Sequence, residues 1–236
     1  MSPGRTLRFS IASATRNPVP IEEQSNQSFS AGPILDQVLL SSGNLAPERI
    51  RTVDFGYVGE LGTPAIWLDT RVFHSQIRDL IAYYNIPFAA DNFNGKAEDF
   101  SNLDSADLDG AEFQLNYNPG FSTHLIINYA YLHISSATVS SSGPHHNFSA
   151  LLTHRLQNKV NLSAAFYFTS PIAGLDTGTY VGAQRRLDLK VSAPFPALSP
   201  HARIGITLQS VLGSYQDFKY VNVFEPAVLV TLTSTF

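Results

Sequence analysis

Few side chains in this sequence are of types and spacings that could do chemistry. His145 and His146 are adjacent, and imidazole is a common metal ligand. On an extended strand, however, neighbouring side chains point to opposite faces, so the pair could not chelate one ion well. A loop and strand-entry placement suits them better. Asp104, Asp107 and Asp109 are crowded together, but a calcium loop needs more oxygen ligands at defined spacing, which favours a solvated loop. Asp69, Arg71, Glu112, Arg186, Asp188 and Lys190 share strand parities with other polar residues. They could pave a path for a polar substrate or pair with one another across strands, and pairing is favoured. Ser, His and Asp are plentiful, but no nucleophile-elbow sequence is present. No catalytic, cofactor-binding or metal-binding residue is therefore assigned, no cofactor is expected, and the chain is not expected to be an enzyme. Any ligand-binding residues stay unassigned.

Composition narrows what can position these groups. Charged residues make up 14% of the 236, against roughly 25% in soluble domains. Hydrophobic residues stand at an ordinary 44%, so Ser, Thr, Asn and Gln have replaced the missing charges. That balance fits strands with one lipid-exposed face and one uncharged polar face. No stretch reaches the ~18 apolar residues of a membrane-spanning helix. The absence of cysteine excludes disulfides and thiolate sites. A net charge of -4 without a basic run offers no grip on a nucleic-acid backbone. Residues 1–10 read as part of a strand and not as a secretory signal.

The carboxyl-terminal residues show the governing pattern. Val228, Val230, Leu232, Ser234 and Phe236 share one parity, while Ala227, Leu229, Thr231, Thr233 and Thr235 fill the other. A period of two marks an extended strand. A chain ending on a bare aromatic suits a strand that stops at a membrane interface, where aromatic girdles lie. The same alternation predicts strands at about 5–14, 49–60, 65–84, 107–118, 121–134, 146–156, 159–169, 184–193, 201–211 and 226–236. The fourth is the clearest, with Ala111, Phe113, Leu115 and Tyr117 opposite Glu112, Gln114, Asn116 and Asn118.

Connection lengths alternate as well. The intervals 15–48, 85–106, 135–145, 170–183 and 212–225 are long. Between them come short turns at Leu61–Pro64, Asn118–Gly120 and Gln157–Asn158, and the Pro194–Pro200 link. All long connections thus fall at one end, as in outer-membrane barrels with short periplasmic turns and long extracellular loops. Eleven residues at ~3.3 Å rise span ~36 Å, or ~26 Å when tilted, close to the ~25 Å apolar band of such barrels. The expected fold is an all-β, antiparallel, up-and-down transmembrane barrel portion of about ten strands, forming a single domain over 1–236.

The motifs, in order, resemble the carboxyl-terminal part of the barrel of TonB-dependent outer-membrane receptors. Thr15-Arg16-Asn17-Pro18 is similar to a step that follows a strand in the family. Leu45-Ala46-Pro47-Glu48-Arg49 resembles a Leu-x-Pro-Glu strand opening, followed by Phe55-Gly56-Tyr57. Leu68–Phe73 with Ile77–Ile81, Asp109–Phe113, Asn128–Leu132, Arg185–Leu189 and Thr207–Leu212 resemble the later strands. Ser210 and Gly213 depart from the Asn and acidic residue more usual there. The resemblance covers roughly residues 5–236.

Such receptors enclose a plug within about 22 strands and import scarce ligands such as ferric siderophores. The resemblance therefore implies a plug-less, carboxyl-terminal barrel fragment in a Gram-negative outer membrane, not competent alone. Its expected partners are outer-membrane lipid, a missing N-terminal barrel half and plug, and a small-molecule ligand such as a metal chelate. The TonB complex would act only through the absent plug. In that bacterial setting the Asn-x-Ser triplets at Asn26, Asn147 and Asn161 are chance matches. The alternative is a self-contained ten-stranded barrel, with strand one bonded to strand ten, acting as a pore or as a loop-borne surface enzyme. A soluble sandwich is the third reading.

Overall fold

The computed structural model describes residues 4–32, 34–61, 66–88, 92–173, 180–217 and 219–234. In chain order the first elements are β1 (Arg5–Arg16), α1 (Pro20–Gln24), β2 (Asn26–Ala31), β3 (Ile34–Leu40) and β4 (Glu48–Glu60). Next come β5 (Ile66–Pro87), β6 (Lys96–Gly120), β7 (Thr123–Ser135), β8 (His146–Arg155) and β9 (Asn161–Thr169). The last are β10 (Ile172–Ala173), β11 (Tyr180–Val181), β12 (Gln184–Pro194), β13 (Arg203–Gln209), β14 (Tyr215–Asp217), β15 (Lys219–Phe224) and β16 (Ala227–Thr233).

Ten of these strands form one continuous path, β1-β4-β5-β6-β7-β8-β9-β12-β13-β16. Each of the ten predicted strands falls on one of them. Every step along the path is antiparallel. The sheet is an open wall: among the described residues β1 pairs only with β4, and β16 only with β13. The closing Thr235 and Phe236, and the predicted turn over 62–64, lie outside the described residues.

Register carries the sequence parity across the wall. One row runs Phe9, Phe55, Val72, Ala111, Tyr131, His146. Another runs Leu152, Ala164, Leu189, Leu208, Val228. These apolar side chains stay uncovered: Phe9 is 66% exposed, Ile11 71% and Val230 67%. The accessible surface totals 14941 Å², whereas a compact soluble chain of this mass would expose about 10,500 Å². Buried apolar residues are few and mostly small, such as Ala97, Ala106 and Ala202. A soluble sandwich would have to bury these faces, and the wall does not. The chain is a section of transmembrane barrel wall.

The two ends of the wall differ as the spacing predicts. Residues 121–122, 156–160 and 195–202 make short links at one end, and long segments gather at the other. The structure corrects the reading of 85–106 as a loop. β5 continues to Pro87 and β6 begins at Lys96, so most of that interval is a projecting hairpin. A bulge between Ile77 and Leu80 offsets the projection from the wall. There Asp79 takes a left-handed φ of 60°, and Asn102 Nδ2 donates to its carbonyl at 2.6 Å. The interval 15–48 likewise contains α1, β2 and β3, and β3 lies parallel to β6 at Leu39 and Glu98.

One glycine in the wall is there for contact. Gly110 stands opposite Phe73, and a Cβ at Gly110 would come within 2.2 Å of the Phe73 ring. The far end of the ring therefore rests against the bare backbone. Gly110→Ala is expected to lower stability by about 1 to 3 kcal/mol through overpacking, read as the urea midpoint of the chain joined to the strands that complete its barrel, in detergent micelles. Phe73→Ala should remove most of that increment, because the two positions share one contact.

Candidate functional site

The inner face of the wall is polar because the alternate parity supplies it. Arg8, Gly56, Arg71, Glu112, Ala130 and Asn147 stand side by side across six strands. The row beside it includes Asp69, Gln114, Asn128 and Ser149. Arg8 pairs with Asp69. Arg71 lies between Asp54, at 3.7 Å, and Glu112, at 3.6 Å, while Ser10 donates to Asp54. Arg8, Asp69, Arg71 and Glu112 border a concavity of about 630 Å³. Gly56 is required beneath them, since a Cβ there would meet the Thr70 carbonyl at 2.7 Å and the Arg8 guanidinium at 3.4 Å.

A second cluster sits further along the wall. The Arg186 guanidinium bonds both oxygens of Asp188, at 2.6 to 3.0 Å, and reaches the Tyr215 hydroxyl at 3.1 Å. Asp188 also accepts from the Ser210 amide at 3.0 Å. Of the six charged residues picked out by sequence, Asp69, Arg71, Glu112, Arg186 and Asp188 are paired. Lys190 has no ion pair among the described residues. Arg8 and Asp54 complete the network and were not picked out. Their even spacing within strands one and two is the signal that could have found them.

At the long-loop end, side chains clamp loops to strands. Arg16 forms a two-bond pair with Glu48, at 2.6 and 2.8 Å, and also donates to Glu22 of α1 at 3.0 Å. Glu48 accepts from the Ile81 amide at 2.9 Å, next to the bulge. Two motifs that the sequence presents separately, Thr15–Pro18 and Leu45–Arg49, thus meet as one clamp. Asp99 is 3% exposed and accepts from the Ser42 amide at 2.9 Å. Asn102 exchanges two hydrogen bonds with the Ala46 backbone, at 2.8 and 3.0 Å.

The aspartates read as a solvated loop lie instead on β6, each with its own partner. Asp104 accepts from the hydroxyls of Ser136 and Thr138 and from the Thr138 amide. Asp107 lies 2.9 Å from Arg78, and Asp109 lies 2.8 Å from His74 Nδ1. They stay in strand because the β5–β6 hairpin continues past the point where alternation fades. His145 and His146 separate: His146 Nδ1 lies 2.9 Å from the Tyr129 hydroxyl, and His145 Nδ1 lies 2.9 Å from the Leu132 carbonyl. Asn26 opens β2, while Asn147 and Asn161 lie in β8 and β9. Among the described residues, no three His, Asp or Glu side chains gather as a metal site.

Burial opposes ionisation of Asp104, but the hydrogen bonds from Ser136 and Thr138 outweigh it and hold its carboxyl well below 3.8, the ordinary value. A depressed carboxyl stabilises the fold fully above its unfolded value and loses that effect as pH falls further. The tether of residues 136–139 should therefore be constant from neutrality to about pH 4 and weaken on further acidification. At neutral pH, Asp104→Asn should speed hydrogen exchange at the Thr138 and Val139 amides about fivefold to tenfold, with amides of β8 unchanged.

The family model described as TonB dependent receptor-like, beta-barrel matches residues 1–216. No curated protein matches the sequence. Among solved structures, the ferric-catecholate import receptor Fiu from K12 E. coli is similar, with a TM-score of 0.68 and 12% identity over 98% of this chain and 33% of that one. The FrpB iron transporter from Neisseria meningitidis gives a TM-score of 0.65 and 13% identity over 98% and 37%. The copper transporter OprC gives 0.66 and 12% over 98% and 36%. The chain thus spans about a third of the length of these proteins. With the open ten-stranded wall, its polar inner face and the match over residues 1–216 in agreement, the chain belongs to the TonB-dependent receptor β-barrel family.

Proposed function

We propose that this chain forms the carboxyl-terminal wall of an outer-membrane receptor that takes up a scarce small molecule, such as a metal chelate. It does so only together with a plug and the remaining strands. The observation that carries this reading is that, among the described residues, the outer edges of β1 and β16 are unpaired. In hydrocarbon, each unsatisfied backbone group costs several kcal/mol, so the wall needs neighbours on both sides. The third of a receptor's length that the chain occupies supports the same conclusion. The charged inner face, with Arg71 between Asp54 and Glu112, is suited to lie against a plug and not against lipid. The clamped long-loop end would face the medium and meet the ligand there. Energy from the TonB complex would reach this wall only through the plug. The metal transporters among the structural neighbours support a chelate as the ligand class, and no catalytic role is assigned.

The test compares cells that export the chain alone with cells that export it preceded by a receptor's plug and N-terminal strands. A heat-modifiable folded band on gels, and accumulation of radio-iron supplied as ferric catecholate, are expected only from the second. A folded band from the chain alone, with a bridge forming between cysteines placed on β1 and β16, would overturn the proposal in favour of a small closed barrel.

A further inference from the structure

The outer, lipid-side parity of β1, β4 and β5 changes character at the long-loop end. Ile11, Val53 and His74 form one row. The next two rows are Ser13, Arg51 and Gln76, then Thr15, Arg49 and Arg78. Three guanidinium groups therefore stand on the outside of the barrel, directly beyond the apolar band formed by Phe9, Ile11, Val53 and Phe55. None of them belongs to the inner face, so neither a plug nor a transported ligand explains them.

Arg49 and Arg78 are direct cross-strand partners, and like charges placed opposite one another destabilise a sheet. Acidic groups relieve this only in part. Arg78 is 2.9 Å from Asp107, and the nearby Asp109 is engaged by His74. Arg49 and Arg51 are exposed and have no ion pair or hydrogen bond among the described residues. Rows along a strand lie about 7 Å apart and direct cross-strand neighbours about 5 Å apart. That spacing lets several guanidinium forks converge on one anion, and phosphate is the anion whose geometry they match. The hydroxyls of Ser13 and Thr15 flank the same spot.

We propose that Arg49, Arg51 and Arg78 seat the phosphorylated headgroup of an outer-leaflet lipid, whose acyl chains run down the adjoining face past Val53 and Phe55. Charge complementarity and continuity with the apolar band single out a lipid over a soluble anion. A free phosphate would gain nothing from that band.

The test measures binding of a bisphosphorylated, acylated glucosamine disaccharide to the chain joined to a receptor's plug and N-terminal strands, in neutral detergent, by native mass spectrometry. The same lipid stripped of phosphate, and inorganic phosphate alone, serve as the other probes. The expected result is retention of the phosphorylated lipid and of neither other probe, with affinity falling at least about tenfold in Arg49→Gln/Arg51→Gln. Arg5→Gln, which removes a cation of the same parity at the opposite end, should bind as the parent does. Far-UV circular dichroism establishes that each variant keeps its strands. Arg49→Gln alone should also raise the urea midpoint without lipid, because it removes the like-charge pair. Equal binding by parent and double variant, equal binding of the dephosphorylated lipid, or binding of inorganic phosphate as tight as that of the lipid would overturn the proposal. Binding is read in detergent, so its failure would leave the receptor reading untouched.

Discussion

Everything in this wall depends on the obligation of backbone amides and carbonyls to find partners where water is absent. A strand in hydrocarbon cannot leave its edge groups free, so each of the ten is bonded along its apolar length to the next. That pairing fixes register, and register fixes which parity faces lipid. A one-residue slip anywhere would turn every side chain of a strand to the other face. Arg8, Asp69 and Arg71 would then point into acyl chains, where an arginine at the midplane costs about 2 to 4 kcal/mol.

The inner face meets a different demand. Its charges are mostly matched in place, with Arg8 on Asp69, Arg71 between two acids and Arg186 on Asp188. Bare backbone at Gly56 and Gly110 lets the covering side chains lie close to the sheet. At the long-loop end, where water returns, carboxylates take over the work of ladder hydrogen bonds. Asp99 and Asp104 each hold a loop segment by accepting from its amides, and Glu48 ties β1 to β5 by accepting from Arg16 and from the Ile81 amide.

Alternation made the ten strands legible because each has lipid on one side and polar lumen on the other. Where both faces meet water the alternation fades, and there the sequence misled. Residues 85–106 read as a loop although β5 and β6 continue through most of them. β2, β3 and α1 were likewise hidden inside one long interval. The Arg16–Glu48 pair spans 32 positions. Both residues were visible as motif members, but only the register of β1 on β4 brings them together. The charged inner residues were recognisable by parity, whereas their partners required knowing which strands are neighbours.

The two free borders of the sheet carry an arithmetic of their own. Arg5 begins β1 beside Gly59, at the short-turn end, and Thr233 closes β16 beside Arg203 at that same end. The first border strand therefore ascends and the last descends. Any segment that completes the cylinder with antiparallel neighbours must offer a descending strand to one and an ascending strand to the other. Its strand count is consequently even, whatever its length or origin.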